Sequence, residues 1–327
     1  MLKFDLPKKR LRSCLAASLF IFSICASAEE GGSGHYMPGS LASFMDGVSN
    51  EPTFIARLNF INYEGSNGTN RSIPIAGQIA ANIDAKSNAV AFTAFWAPEW
   101  GLLNDKWNFG MSMTIPWVSI EVEADLIDYL PNAPVTIRRK DKENGLGDII
   151  LMPLMFNYHA NADLNVNFRL SVYAPTGSYK EGRLANTGKN FWSFEPAAGF
   201  VYLGQKNGIE ASAYLGVDFN TENDDTDYTS GKQAHLDATL AQHFPLWGGL
   251  ASAGATGFIY RQLNGDSGKG ATLGDFKARA YGIGPVLSYV SKADGKEILA
   301  ELKWLHEFDN RNRVEGDTIF FKIMVKL

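Results

Sequence analysis

Ser230, His235 and Asp237 lie close together in the chain. They are the residue types of a nucleophile, its general base and the group that orients the base. In an extended strand, residues 235 and 237 share a face about 7 Å apart, so base and acid can meet. Ser230 sits five positions upstream with nothing in the spacing to hold it against His235. A polar row along one face of a strand is therefore the better reading. The carboxylates Asp218, Glu222, Asp224, Asp225 and Asp227 invite comparison with a calcium loop, but the ordered spacing and central glycine of such a loop are missing. They read as a solvated acidic loop. Gly145, Gly147 and Asp148 are not followed by the Gly-Lys-Ser/Thr of a phosphate cradle, and read as a turn that opens a strand. No catalytic residue, metal ligand or cofactor site is expected. The functional material that remains is a set of polar side chains at alternate positions of apolar stretches: Arg57, Asn59, Arg169, Glu195, Glu210, His235, Asp237, Lys277, Arg279, Glu301 and Lys303.

The elements that carry those residues are long strands. In residues 106–117, Trp107, Phe109, Met111, Met113, Ile115 and Trp117 share one face at period two, opposite Asn108, Gly110, Ser112, Thr114 and Pro116. Ordinary strands run to about 5–6 residues. This one is about twice as long and has a tryptophan at each end of its apolar face, the proportions of a strand crossing a bilayer obliquely. A lone strand cannot do so, because each backbone polar group in lipid needs a partner. Eleven further stretches repeat the pattern, beginning at residues 54, 88, 148, 162, 192, 208, 233, 249, 276, 296 and 318. In residues 148–158 the expected outward set is Ile150, Met152, Leu154, Phe156 and Tyr158. Residues 249–261 and 276–290 are rich in Gly and Ala, leave their facing open and suggest a bulge. Long connections alternate with short ones, as in a barrel with short periplasmic turns and long external loops. The expected fold is an all-β transmembrane antiparallel barrel of about 12 strands over residues 53–327.

The amino terminus fits export. A basic segment (Lys8, Lys9, Arg10, Arg12) precedes an apolar run over residues 14–28 that ends Ala26-Ser27-Ala28, a secretory signal pattern with cleavage expected after Ala28. Residues 1–28 hold both cysteines, five basic residues and one acid, so the remainder carries −9 where the whole chain carries −5. An acidic, cysteine-free exported chain excludes nucleic acid as a partner and reliance on disulfides. Residues 29–52 are rich in Gly and Ser and too irregular for a barrel strand. They form either a disordered leader or a plug in the lumen.

Several short motifs resemble a family named for a meta-pathway of phenol degradation. They are Gly34-His35-Tyr36-Met37-Pro38-Gly39, Gly145-Leu146-Gly147-Asp148, Pro175-Thr176-Gly177, and Thr226-Asp227-Tyr228-x-Ser230-Gly231 with His235 and Asp237. The resemblance implies a barrel related to transporters of hydrophobic compounds, with the plug near residues 35–50 and His35, Tyr36, Pro38 and Phe44 as its candidate residues. The expected function is passive uptake of small hydrophobic or aromatic solutes across the outer membrane of a Gram-negative cell. The alternatives are a lipid-modifying enzyme and an adhesive barrel acting through its external loops. The expected partners are outer-membrane lipid and lipopolysaccharide, the barrel-assembly machinery and a small hydrophobic solute, with the chain a monomer.

Overall fold

The computed structural model describes residues 30–49, 51–67, 72–129, 134–274, 276–293 and 295–327. The expected signal segment, 1–28, lies outside them. Strand β1 (Thr53–Ser66) is followed by a short β2 (Ile73–Ile75), then β3 (Gln78–Ala97), β4 (Trp107–Tyr129) and β5 (Pro134–Leu146). Next come β6 (Ile149–His159), β7 (Leu164–Ala174), β8 (Ser193–Leu203), β9 (Ile209–Asn220) and β10 (Gln233–Leu246). The last four are β11 (Gly249–Gln262), β12 (Arg279–Ala293), β13 (Lys296–Arg311) and β14 (Glu315–Lys326).

Twelve of these strands close an antiparallel ring. β3 pairs with both β1 and β4, β4 passes to β6, the order then follows the chain to β14, and β14 pairs back to β1 with Phe60 opposite Phe321. Closure removes every exposed edge at membrane depth and lets each backbone amide find a partner. The twelve barrel strands coincide with the twelve stretches expected from period-two patterning. Along β10, Leu236, Leu240 and Phe244 are exposed while His235, Asp237, Thr239 and His243 are buried. Apolar side chains therefore face lipid and polar ones face the lumen, the inverse of a soluble domain. The β10–β11 turn is two residues, Trp247 and Gly248, both with positive φ (48° and 77°), the tight hairpin geometry that matches strand twist.

The loops hold what the patterning did not reveal. β3 and β4 reach 20 and 23 residues and rise past the apolar belt, and β5 pairs along the upper half of β4. The outer face of this extension carries charges such as Asp84, Lys86, Glu121 and Glu123, and its apolar row (Ile83, Ala85, Ile120, Val122) turns inward, the reverse of the belt below. One guanidinium ties it together: Arg138 meets Asp84 at 2.8 Å, Glu123 at 2.9 Å and Asp125 at 3.3 Å.

One bulge inverts the expected facing. Between Leu151 and Leu154 the β6–β7 register slips at Pro153, which has no N–H to donate. The slip turns Ile150 and Met152 inward, against the expectation that they face lipid, while Leu154 stays exposed. A second slip, between Arg279 and Tyr281 in the β12–β13 register, lies on β13, and β12 itself runs regularly against β11 with Ile283 and Leu287 outward. Arg279 is not a lumen residue: it pairs with exposed Asp309 at 2.7 Å, and the buried neighbours are Ala278 and Ala280. Lys277 likewise falls outside the lumen rows, in the connection before β12, where its carbonyl accepts from Asn312 at 2.9 Å.

The lipid-facing belt gives a direct test. Phe92 is exposed midway along the outer face of β3, four residues from Trp96 and four from Asn88. Phe92→Arg is expected to lower folding stability in phosphatidylcholine vesicles by about 2–4 kcal/mol, and the same change at Asn88, near the interface, by about 0–1 kcal/mol. Urea unfolding of both variants measures the difference.

Candidate functional site

Residues 30–49 run through the barrel interior. At the long-loop end the Glu30 carboxylate accepts from Tyr179 at 3.1 Å and Asn223 at 2.8 Å, and its backbone N–H donates to Ser230 at 3.3 Å. Burial pushes the Glu30 carboxyl up from its ordinary pKa, and the hydrogen bond from Asn223 pulls against that shift. At the short-turn end the Ser49 carbonyl accepts from Asn108 on β4. Between these ends, Met37-Pro38-Gly39-Ser40 makes a turn closed by Ser40 N–H to Met37 C=O at 3.1 Å. Pro at its second position and Gly at its third, with φ 84° at Gly39, fit a type II turn. A Cβ on Gly39 would stand 2.1 Å from Leu305 Cδ1, so the wall itself requires glycine there.

Three clusters hold the segment to the wall. In the upper one His35 Nε2 meets Asp148 at 2.9 Å and Nδ1 meets the Ser193 hydroxyl at 2.6 Å, while the ring stacks on Tyr173. Asp148 also accepts the backbone N–H groups of Gly177 at 2.9 Å and Lys189 at 2.7 Å. Ser193, His35 and Asp148 thus fall in the order of a nucleophile, base and acid. The Ser193 hydroxyl, however, is fully buried, donates to Asn220 at 2.5 Å and lines none of the cavities described below. The chain of contacts is a tether.

In the middle cluster Asp237 accepts the Tyr36 hydroxyl and the backbone N–H groups of Gly39 at 3.3 Å and Leu41 at 3.2 Å. Tyr36 stacks on His235, whose Nε2 meets Glu195 at 3.2 Å. His235 and Asp237 therefore hold the segment separately, and the Ser230 hydroxyl is taken by Glu30. The expected polar row is what forms.

The lower cluster is electrostatic. Asp46, in the turn Phe44–Asp46, faces Arg57 at 3.2 Å and Lys322 at 3.5 Å, and its carbonyl accepts from Arg169 at 2.7 Å and Tyr214 at 3.1 Å. Lys322 lies 3.2 Å and Lys303 3.7 Å from Glu301, and Lys303 donates to the Leu41 carbonyl at 2.8 Å. Phe44 N–H donates to Glu210 at 2.8 Å, and Glu210 is met by His243 at 2.6 Å. Pro38 is buried in the Met37–Ser40 turn, and Asn59 donates to Thr93 at 3.3 Å.

Beside the segment, on the wall formed by β1, β3, β4 and β6, run three cavities that share residues. The outer one, about 250 Å³, is walled by Ile75, Ile83, Val122, Leu184 and Phe191. It shares His35, Met37, Ile61, Ala89 and Val118 with a middle chamber of about 260 Å³, to which Ile150 and Met152 contribute. A lower space of about 40 Å³ follows, lined by Met45, Met152, Met155, Met324 and Phe95. The neck common to the middle and lower spaces is Leu41, Arg57, Thr93 and Met152. Sequence reading missed this methionine ring, because Met152 turns inward only through the bulge and Met45 belongs to no strand. Among the described residues no group of three or more His, Cys, Asp or Glu side chains converges as metal ligands.

The family model described as "Putative MetA-pathway of phenol degradation" matches residues 65–323. The chain belongs to this family. The motifs of the resemblance are separate in sequence, and in space they meet on the N-terminal segment: Gly34–Gly39 is the segment itself, Asp148, held by the Gly177 amide, grips His35, Asp237 grips Tyr36, and Ser230 grips Glu30. An outer membrane channel from Pseudomonas putida F1 shares the fold with a TM-score of 0.61 at 14% identity, over 89% of this chain and 100% of that one. A FadL homologue from Pseudomonas aeruginosa gives 0.42 at 11% identity over 84% and 90%. A CymD monoaromatic hydrocarbon channel gives 0.41 at 8% identity over 84% and 88%. No curated protein sequence matches the chain. The closed ring with its apolar belt places the protein in the outer membrane.

Asp237→Ala leaves the Tyr36 hydroxyl and the amides of Gly39 and Leu41 without their acceptor. Buried groups so stranded cost about 1–3 kcal/mol. Hydrogen exchange at residues 36–41 is expected to quicken by about ten-fold or more, since about 1.4 kcal/mol is a factor of ten, while exchange in β1 and β14 stays unchanged.

Proposed function

We propose that the protein is a channel for passive entry of small hydrophobic or aromatic compounds, which travel along one side of a lumen that the N-terminal segment half fills. The observation that carries this reading is the run of three adjoining cavities, each sharing lining residues with the next, between that segment and the β1–β3–β4–β6 wall. Its first two chambers are walled largely by aliphatic and aromatic side chains, which favour solutes that shed water readily. The lower space is too small for a solute at rest. Methionine side chains line it, and their flexible, polarizable thioethers adapt to what they touch. In this reading residues 30–49 are a fixed plug that defines the bore, and a solute passes when the methionines move aside. The rest of the working protein is a monomer inserted by the barrel-assembly machinery and surrounded by phospholipid and lipopolysaccharide, with no catalytic step.

Cells lacking the gene, complemented with the wild-type chain or with Ala91→Trp, test the reading. Ala91 lines the middle chamber, and an indole there would fill most of it while the outer face stays native. Initial uptake of a limiting neutral monoaromatic is expected to rise with the wild type and to lose most of that increment with Ala91→Trp. Equal uptake with and without the gene would overturn the channel.

A further inference from the structure

The neck of the passage holds an arginine that is only partly neutralised. Around it the wall contributes Arg57, Arg169, Lys303 and Lys322, while Asp46, Glu301 and Asp237 are the carboxylates that face them. Four cations meet three anions. Glu210 is engaged apart from this group by His243 and the Phe44 amide. Arg169 is satisfied by Asn167, the Asp46 carbonyl and Tyr214, and lies over the Tyr214 ring. Lys303 and Lys322 each donate to a segment carbonyl, of Leu41 and Ser40. Arg57 differs. Its Nη1 reaches Asp46 at 3.2 Å, while its buried Nε makes no hydrogen bond, and the side chain lines both the middle chamber and the lower space. A half-buried cation with a spare donor favours a further anion beside it, and a guanidinium edge suits the two oxygens of a carboxylate.

We infer that Arg57 makes the neck an anion-recognition site, and that the solutes this channel selects are small amphipathic carboxylates of the arene-carboxylate class. The carboxylate lies on the Arg57 guanidinium at the neck, and the ring occupies the middle chamber against Ile61, Ala89, Ile150 and Met152. A chamber of about 260 Å³ is below the roughly 300 Å³ at which pockets for drug-sized ligands begin, so it accommodates a single ring. The site lies inside a chain that is acidic as a whole, so this positive charge is local and built into the strands. The inference rests on the channel reading above and adds the solute class to it.

Calorimetric binding of benzoate and of its neutral isostere benzamide to the detergent-solubilised full chain at pH 8 tests it, alongside whole-cell uptake of the same pair. The wild type is expected to bind benzoate at least about ten-fold more tightly than benzamide, a difference of about 1.4 kcal/mol. Arg57→Met is expected to abolish that preference, and Arg57→Lys to restore part of it. Thr93→Asp sets a carboxylate directly opposite Arg57 across the β1–β3 pair while leaving the arginine in place, and is expected to lower benzoate affinity while sparing benzamide. It keeps the test decisive if Arg57→Met fails to fold. Equal binding of the two ligands by the wild type, or a preference that survives both substitutions, overturns the carboxylate site and leaves the channel standing. If neither ligand binds and uptake of both is the same with and without the gene, the channel reading itself fails.

Discussion

Asp46 is the contact on which the interior depends. Its carboxylate faces Arg57 on β1 and Lys322 on β14, and its carbonyl takes Arg169 on β7 and Tyr214 on β9. One residue of a segment outside the sheet therefore touches strands on several sides of the ring. The cations it faces could not sit in a narrow, poorly hydrated lumen alone, because burying unpaired charge is far more costly than burying a pair with its hydrogen bonds completed. The wall needs the segment as much as the segment needs the wall. This reciprocity explains how about twenty residues with little regular structure can hold a single path through a barrel.

The same argument sets the shape of the passage. Most of the polar groups that bind the segment come from β7 to β10, β13 and β14, and the opposite wall adds Arg57 and Asn108 to a lining that is otherwise largely aliphatic. A gap remains on that side. The bulge at Pro153 extends the apolar lining by turning Ile150 and Met152 into the gap, so a backbone irregularity on β6 becomes a property of the bore. A straight β6 would have sent both side chains to lipid and left the chamber more polar.

Much of this architecture was legible in the chain. Period-two alternation located all twelve barrel strands, since a lipid-facing row and a lumen-facing row differ so strongly in polarity that the pattern survives without a homologue. It gave out where that contrast reverses or is lost. In the extension built from β3, β4 and β5 the charged row faces out and the apolar row (Ile83, Ile120, Val122) faces in. β5 runs through consecutive charges, and the strands of the extension read as loop. At Pro153 one extra residue inverts the facing, which is why Ile150 and Met152 were assigned to the wrong side. On β12 small residues on both faces hid a regular period in which Arg279 faces outward with Ile283 and Leu287, and Lys277 lies before the strand. The motif His35-Tyr36-Met37-Pro38-Gly39 was visible as a motif, but its contacts with Asp148 and Asp237, more than a hundred residues away, are made only by the closed ring. Nor did spacing suggest that Arg57, one of several inward charges, would stand at the neck with a donor to spare.

The central claim is that the lodged segment, rather than the ring, defines the bore. Single-channel conductance in planar bilayers, compared between the full chain and a chain lacking residues 30–49, tests it directly in molecules whose folding is verified by heat-modifiable migration. The account predicts a small conductance for the full chain and a several-fold larger one, with loss of discrimination against sugars, once the segment is gone. Equal conductance in the two forms would contradict it.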